Sequence, residues 1–143
     1  MSSIGVFFIS FLLTIYSTVP RTLERAFLEN SAAPLASLFT REAPLLLSLP
    51  EPLRFSDMVT DEQAYGVFER LFRSYPTIEF YPEPGRAPRF DRGGFILSCR
   101  WSILDRSTRD QHPLQVFFHF RPATRPHRPK PLWAIVEIRA ERL

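Results

Sequence analysis

The sequence has one cysteine, Cys99, and one lysine, Lys130. A single cysteine excludes an internal disulfide and a zinc site built from paired cysteines. Exported proteins without disulfides are common, so an oxidising compartment stays open. The three histidines, His112, His119 and His127, are scattered without ligand spacing. No metal and no cofactor are therefore expected. There are no internal repeats, and the only low-complexity stretches are two loops rich in proline and arginine.

The 143 residues suffice for one domain with an N-terminal appendage. An apolar fraction of 45% is ample for a core and excludes a disordered chain. Phenylalanine is abundant, 14 residues, and suits half-buried strands. The formal net charge of +3 is unevenly spread. Residues 1–83 carry six cations and ten acids; residues 84–143 carry twelve cations and five acids.

Residues 4–19, IGVFFISFLLTIYSTV, are apolar and uncharged. The stretch is long for a signal-peptide core and a little short for a bilayer span. No positive side chain precedes it, and no A-x-A-like site follows. Arg21 and Arg25 lie just after it, a bias that favours keeping that side in the cytoplasm. Residues 1–20 are expected to be a signal peptide or membrane anchor, and residues 21–143 the folded domain. The alternative is a buried first part of helix one, although the polar stripe of a globular helix is nearly missing.

Residues 20–30, PRTLERAFLEN, predict a helix with Pro20 in its first turn and an apolar stripe of Leu23, Phe27 and Leu28. A short helical turn is expected over 34–39, a strand over 43–50, and a short partner over 53–55 after the turn at Pro50-Glu51-Pro52. Residues 55–76, FSDMVTDEQAYGVFERLFRSYP, form the most organised stretch. Thr60 and Gln63 have the spacing of a capping box, and Asp61 and Glu62 suit the positive end of the helix dipole. Ala64, Val67, Phe68, Leu71 and Phe72 make one apolar face, and Pro76 stops the helix. Helix chemistry thus accounts for both acids without catalysis.

The period then changes to two. Strands are expected over 77–82, 94–104, 114–121 and 132–141. The inner face should carry Ile78, Phe80, Phe95, Leu97, Cys99 and Trp101, continued by Val116, Phe118, Phe120, Ala134, Val136 and Ile138. The fold class is therefore α+β: N-terminal helices on a curved antiparallel four-stranded sheet, plus a short hairpin.

This order of elements resembles the nuclear transport factor 2-like superfamily, the cystatin-like cone shared with ketosteroid isomerase and polyketide cyclases. It is most similar to small secreted members of unknown function. The resemblance runs from Leu23 to Leu143, through RTLERAFLEN and APLASLF, the hairpin APLLLSLPEPLRFSD, the helix DEQAYGVFERLFRSYP, and the ladder ending LWAIVEIRAERL. The secreted members share an apolar N-terminal segment, which implies export. Enzymes of the superfamily point an acid, a tyrosine or a histidine into the cone. The inner face here has neither acid nor histidine, so no catalytic residue carries over. A nucleophilic Cys99 is weighed against a small buried hydrophobe, and the second reading is preferred.

Three residue sets remain as candidates. An apolar pocket inside the cone would be lined by Phe68, Phe72, Phe80, Leu97, Cys99, Trp101, Phe118 and Val136. An outer face of Ile96, Arg100, Phe117, His119, Trp133, Ile135 and Glu137 is too apolar to leave in water. Relatives of this fold dimerise through that open side, which implies a homodimer or a protein partner. Arg86, Arg89 and Arg92, with Arg125, Arg128 and Lys130, could contact an anionic surface. Export argues against nucleic acid and favours anionic lipid or a cell-envelope partner. The resulting expectation is an extracytoplasmic, membrane-anchored or secreted binding or assembly module without catalysis. The alternative is a small-molecule enzyme or carrier using the cone interior for a small apolar ligand.

Fractionation of the expressed full chain with intact-mass measurement tests the N-terminal reading. A membrane-bound chain with residues 1–20 intact, or an exported chain cut near residue 20, is the expected outcome. A soluble cytoplasmic chain of full length would show that the apolar stretch belongs to the fold.

Overall fold

The computed structural model describes residues 18–91, 93–123 and 133–143. The expected signal peptide or anchor lies almost wholly outside them. Three helices lead: α1 (Val19–Leu28), α2 (Ala32–Ala36) and α3 (Asp61–Ser74). The strands are β1 (Leu45–Leu49), β2 (Phe55–Val59), β3 (Thr77–Pro82), β4 (Arg89–Asp91), β5 (Gly94–Leu104), β6 (Gln111–Pro122) and β7 (Trp133–Arg142). Among the described residues no helix is long and apolar enough to cross a membrane.

Local chemistry sets the helix ends. Helix α1 starts with Pro20 in its first turn, where a missing N–H costs nothing. It ends at Asn30, whose φ of 52° is the left-handed region that asparagine tolerates. There the Ser31 amide donates to Ala26 O at 2.9 Å and the Asn30 amide to Phe27 O at 3.2 Å, which closes the helix end. The Asn30 side chain then accepts from the Thr77 amide at 2.7 Å and ties this turn to β3. Helix α3 carries the expected capping box: Gln63 N donates to Thr60 Oγ1 at 3.2 Å, and Thr60 N to Gln63 Oε1 at 3.0 Å.

The sheet has seven strands rather than four, in the order β2-β1-β7-β6-β5-β3, with β4 also paired to β5. The difference lies at its edges. The apolar run of β1 pairs parallel with β7, Leu47 opposite Ile138, so the expected hairpin joins the sheet instead of standing apart. This gives partners to backbone groups that β7 would otherwise leave unpaired. Its partner β2 covers residues 55–59, which places the first part of FSDMVTDEQ in a strand and the helix start at Asp61. Ser56, Asp57 and Met58 are exposed there because β2 is an edge. Gly94 is required where β5 leaves its turn, because a Cβ there would stand 2.1 Å from the Phe120 carbonyl oxygen.

The helices cover the inner face of the curved sheet, and Phe27 of α1 sits at the centre. Its ring stacks on Phe80 at 4.3 Å and 15°. It meets Trp101 edge-on at 4.9 Å, Phe72 at 5.3 Å and Phe118 at 5.7 Å. Trp101 is anchored in turn, its indole N–H donating to Thr77 Oγ1 at 3.0 Å. Removing this ring would leave a cavity walled by other rings that cannot collapse into it. Phe27→Ala is therefore expected to cost about 3–5 kcal/mol in urea unfolding, while Leu28→Ala on the exposed side should cost well under about 1 kcal/mol.

Candidate binding groove on the outer sheet face

The cone interior is packed. Phe68, Phe72, Phe80, Leu97, Cys99, Trp101 and Phe118, expected to line an apolar pocket, are all buried and belong to the core. Phe27 occupies the space they would have enclosed. Burial pushes the Cys99 thiol up to about 12, and the negative charges of Glu24 and Glu83 add to the shift. At neutral pH this sulfur stays protonated, unlike a thiolate nucleophile. Among the described residues no three His, Cys, Asp or Glu side chains converge as a metal site.

Strand β7 departs from the expected alternation. Phe118 faces Ile138 and His119 faces Glu137, but Phe120 faces Ile135, leaving Val136 as an extra residue. This bulge reverses the facing of everything before it. Trp133 and Ile135, expected on the partner face, turn inward and are buried, and Trp133 packs edge-on against Phe95 at 5.0 Å. Val136, expected in the interior, is half-buried at the bulge itself. The Ile135 amide is satisfied by the carbonyl of Leu38 at 2.8 Å, just after α2. A second bulge, at Ile78, leaves that side chain 40% exposed instead of inward.

Outside, the sheet forms a groove of about 410 Å³ beneath the loop between β3 and β4. Two cross-strand rows build its floor. In one, Arg89 lies opposite Ile96, Ile96 opposite His119, and His119 opposite Glu137. In the other, Ser98 lies opposite Phe117, and Phe117 opposite Arg139. The Arg139 guanidinium sits over the Phe117 ring, 5.0 Å from its centre, a cation–π contact. Arg86 and Ala87 form the roof. The structure thus joins two candidate sets that the sequence left apart. Arg86 and Arg89 come from the anionic-contact set; Ile96, Phe117, His119 and Glu137 come from the partner face. Arg92, Arg125, Arg128 and Lys130 lie outside the described residues.

Glu83 fastens the roof. The stretch Glu83-Pro84-Gly85-Arg86 has proline and glycine where a type II turn needs them, with Gly85 at φ 76° and the Arg86 amide donating to Glu83 O at 3.3 Å. The Glu83 amide donates to Ser98 O at 2.9 Å. Its carboxylate accepts from Arg100 Nε at 2.9 Å, Ser98 Oγ at 3.0 Å and Gln115 Nε2 at 2.9 Å, and pairs with Arg86 Nε at 3.1 Å. The Glu83 side chain is only 9% exposed, so these are charge-assisted bonds with little water competing. The hydrogen bond from Arg100 is the main reason that its carboxyl lies below the usual range.

Glu83, Gln115 and Arg139 were absent from the candidate sets. The alternation did place Ser98, Arg100, Gln115 and Arg139 on one face. A glutamate heading a Pro-Gly turn beside that face was the available signal. A second concavity of about 370 Å³ lies between the α1–α2 turn and α3, with Tyr65, Glu69 and Arg73 on its α3 side.

Because the folded pKa of Glu83 is depressed, its contribution to stability is present above the unfolded value and is lost as pH falls through the folded one. Acid unfolding of the wild type should therefore include a component below the ordinary carboxylate range that Glu83→Gln removes. Glu83→Ala should cost about 2 kcal/mol at neutral pH. Unfolding followed at several pH values checks both, and identical pH profiles for wild type and Glu83→Gln would contradict the assignment.

No protein-family model matches the sequence, and no curated protein sequence matches it either. Solved structures do. A DUF4783 family protein from Bacteroides uniformis superposes with a TM-score of 0.63 at 15% identity, covering 88% of this chain and 98% of that one. A hypothetical protein with a ketosteroid isomerase-like fold from Catenulispora acidiphila, in complex with trimethylamine, gives a TM-score of 0.60 at 10% identity over 87% of this chain and 85% of that one. A candidate isomerase from Rhodopseudomonas palustris gives 0.57 at 12% identity over 84% and 82%. At these identities the likeness concerns the fold: the chain has the nuclear transport factor 2-like fold.

Proposed function

We propose that the chain is a non-catalytic binding module of the cell envelope, exported or tethered through its first twenty residues, and that its outer sheet face holds an acidic partner. The observation that carries this reading is where the space lies. The interior is filled by Phe27, whereas the outer face opens into a groove of about 410 Å³ with an apolar floor and an arginine rim. Concave apolar surface with a few placed charges is the usual form of a binding site.

The charges favour an acidic partner over a second copy of the chain. Arg86, Arg89, Arg100 and Arg139 stand on this face against Glu83 and Glu137. The further Arg139–Glu141 pair, at 3.9 Å, is half exposed and contributes little. Two like faces would bring surplus arginines together. The β4–β5 hairpin adds Phe90, 51% exposed beside Arg89, a pairing of aromatic and cation that suits a lipid headgroup region. An enzyme or carrier working inside the cone is the weaker reading, because the rings around Phe27 are already in contact.

Vesicle cosedimentation tests the proposal. The chain is expected to prefer phosphatidylglycerol over phosphatidylcholine vesicles, and an Arg86/Arg89/Arg139→Ser variant should lose that preference. Equal binding to both lipids by the wild type would overturn the reading. So would a dimer in light scattering that Phe117→Glu dissociates, since a second copy would then occupy the face.

A further inference from the structure

We propose that the groove receives a single-chain amphiphile, with an oxyanion head at its loop end and an apolar body lying across the strands; this deepens the binding reading above and rests on it. The two ends of the groove differ. At the loop end stand Arg86 and Arg89, and the nearby carboxylate, Glu83, is shared among Arg100, Ser98, Gln115 and Arg86 itself, the last at 3.1 Å. Three arginines, Arg86, Arg89 and Arg100, stand there against the single carboxylate of Glu83, so the rim stays net cationic. At the β7 end Arg139 stands with two carboxylates, Glu137 in the lining and Glu141 at 3.9 Å, so that end has no cationic surplus. An oxyanion is therefore favoured at the loop end and not at the other.

Between the ends lie Ile96 and His119 in one row and Phe117 in the neighbouring row. At the usual spacing of about 4.8 Å between strands, the floor from Arg89 to Glu137 spans about 14 Å. A floor of this length, with Ile96 and Phe117 flanking His119, fits an extended alkyl chain better than a compact polar molecule. The Arg139 guanidinium, 5.0 Å from the ring centre, holds Phe117 in place and leaves its edge to the groove, so the floor is set before a ligand arrives. The roof is set too, because Glu83 holds it from both backbone and side chain. A preformed groove loses less entropy on binding than one that must be assembled. Guanidinium forks match carboxylate and phosphate equally well, so the head is defined here by its shared oxyanion chemistry.

Titration calorimetry of the purified chain tests this with octanoate, octyl phosphate, octanol and octylamine, each below its micelle concentration. Octanoate or octyl phosphate should bind about ten-fold tighter than octanol and octylamine, and the tighter of the two identifies the head. Arg86→Ser/Arg89→Ser should abolish that preference. Phe117→Ala should weaken the favoured ligand while preserving its preference over octanol; circular dichroism confirms that both variants fold. Absence of binding, equal affinity for octanol, or an unchanged preference in the double arginine variant would overturn the inference. If amphiphiles fail while selective binding to phosphatidylglycerol vesicles persists, the groove inference alone falls. If both fail, the acidic-partner reading falls with it.

Discussion

The position of one ring, Phe27, constrains the rest of the molecule. It projects from α1 into the middle of the cone, stacks on Phe80 and meets four other rings edge-on. Each such pair adds about 0.5–1.5 kcal/mol beyond the area it buries. Phe27 also fixes where α1 must lie, so the turn at Asn30 and its bond to the Thr77 amide follow from it. A cone plugged in this way is stable but has no room at its centre.

On the outer face a loop that a plain meander would leave in water is docked against the sheet. Glu83 turns the chain back over β5, and its carboxylate takes up donors from β5 and β6. Each link is an ordinary charge-assisted hydrogen bond; together they make the turn part of the sheet. The consequence is a roof over apolar side chains that would otherwise be exposed. Charge and apolar surface, which normally separate on a protein surface, are held side by side. That combination underlies the ligand proposed above, which has both characters.

Strand β7 shows how one residue redistributes a surface. Without the bulge at Val136, Trp133 and Ile135 would have extended the outer apolar face. With it, both enter the core and the outer face shrinks to Ile96 and Phe117 over an arginine rim. The backbone irregularity is tolerated because Leu38 O accepts the Ile135 amide. The bulge therefore turns a broad apolar patch suited to pairing with a like surface into a narrow groove with charged ends.

Local chemistry written in the sequence determined the helices, the long strands and most of the core. The capping box at Thr60, the stop at Asn30 and the period-two runs of β5 and β6 act between residues close in the chain, so their pattern is legible without a structure. The even spacing from Phe95 to Ile103 is enough to name one face of a strand. Tertiary structure decided the rest. The bulge at Val136 depends on a carbonyl almost a hundred positions away, and no local period reports it. The pairing of β1 with β7, the closing of the interior by Phe27, and the docking of Glu83 on Ser98, Arg100 and Gln115 likewise join residues far apart in the chain. The groove follows from those long-range contacts. Its floor residues share one face of the strands in the sequence; their convergence with Arg86 and Arg89 was not legible, because only the folded register brings that loop over β5 and β6.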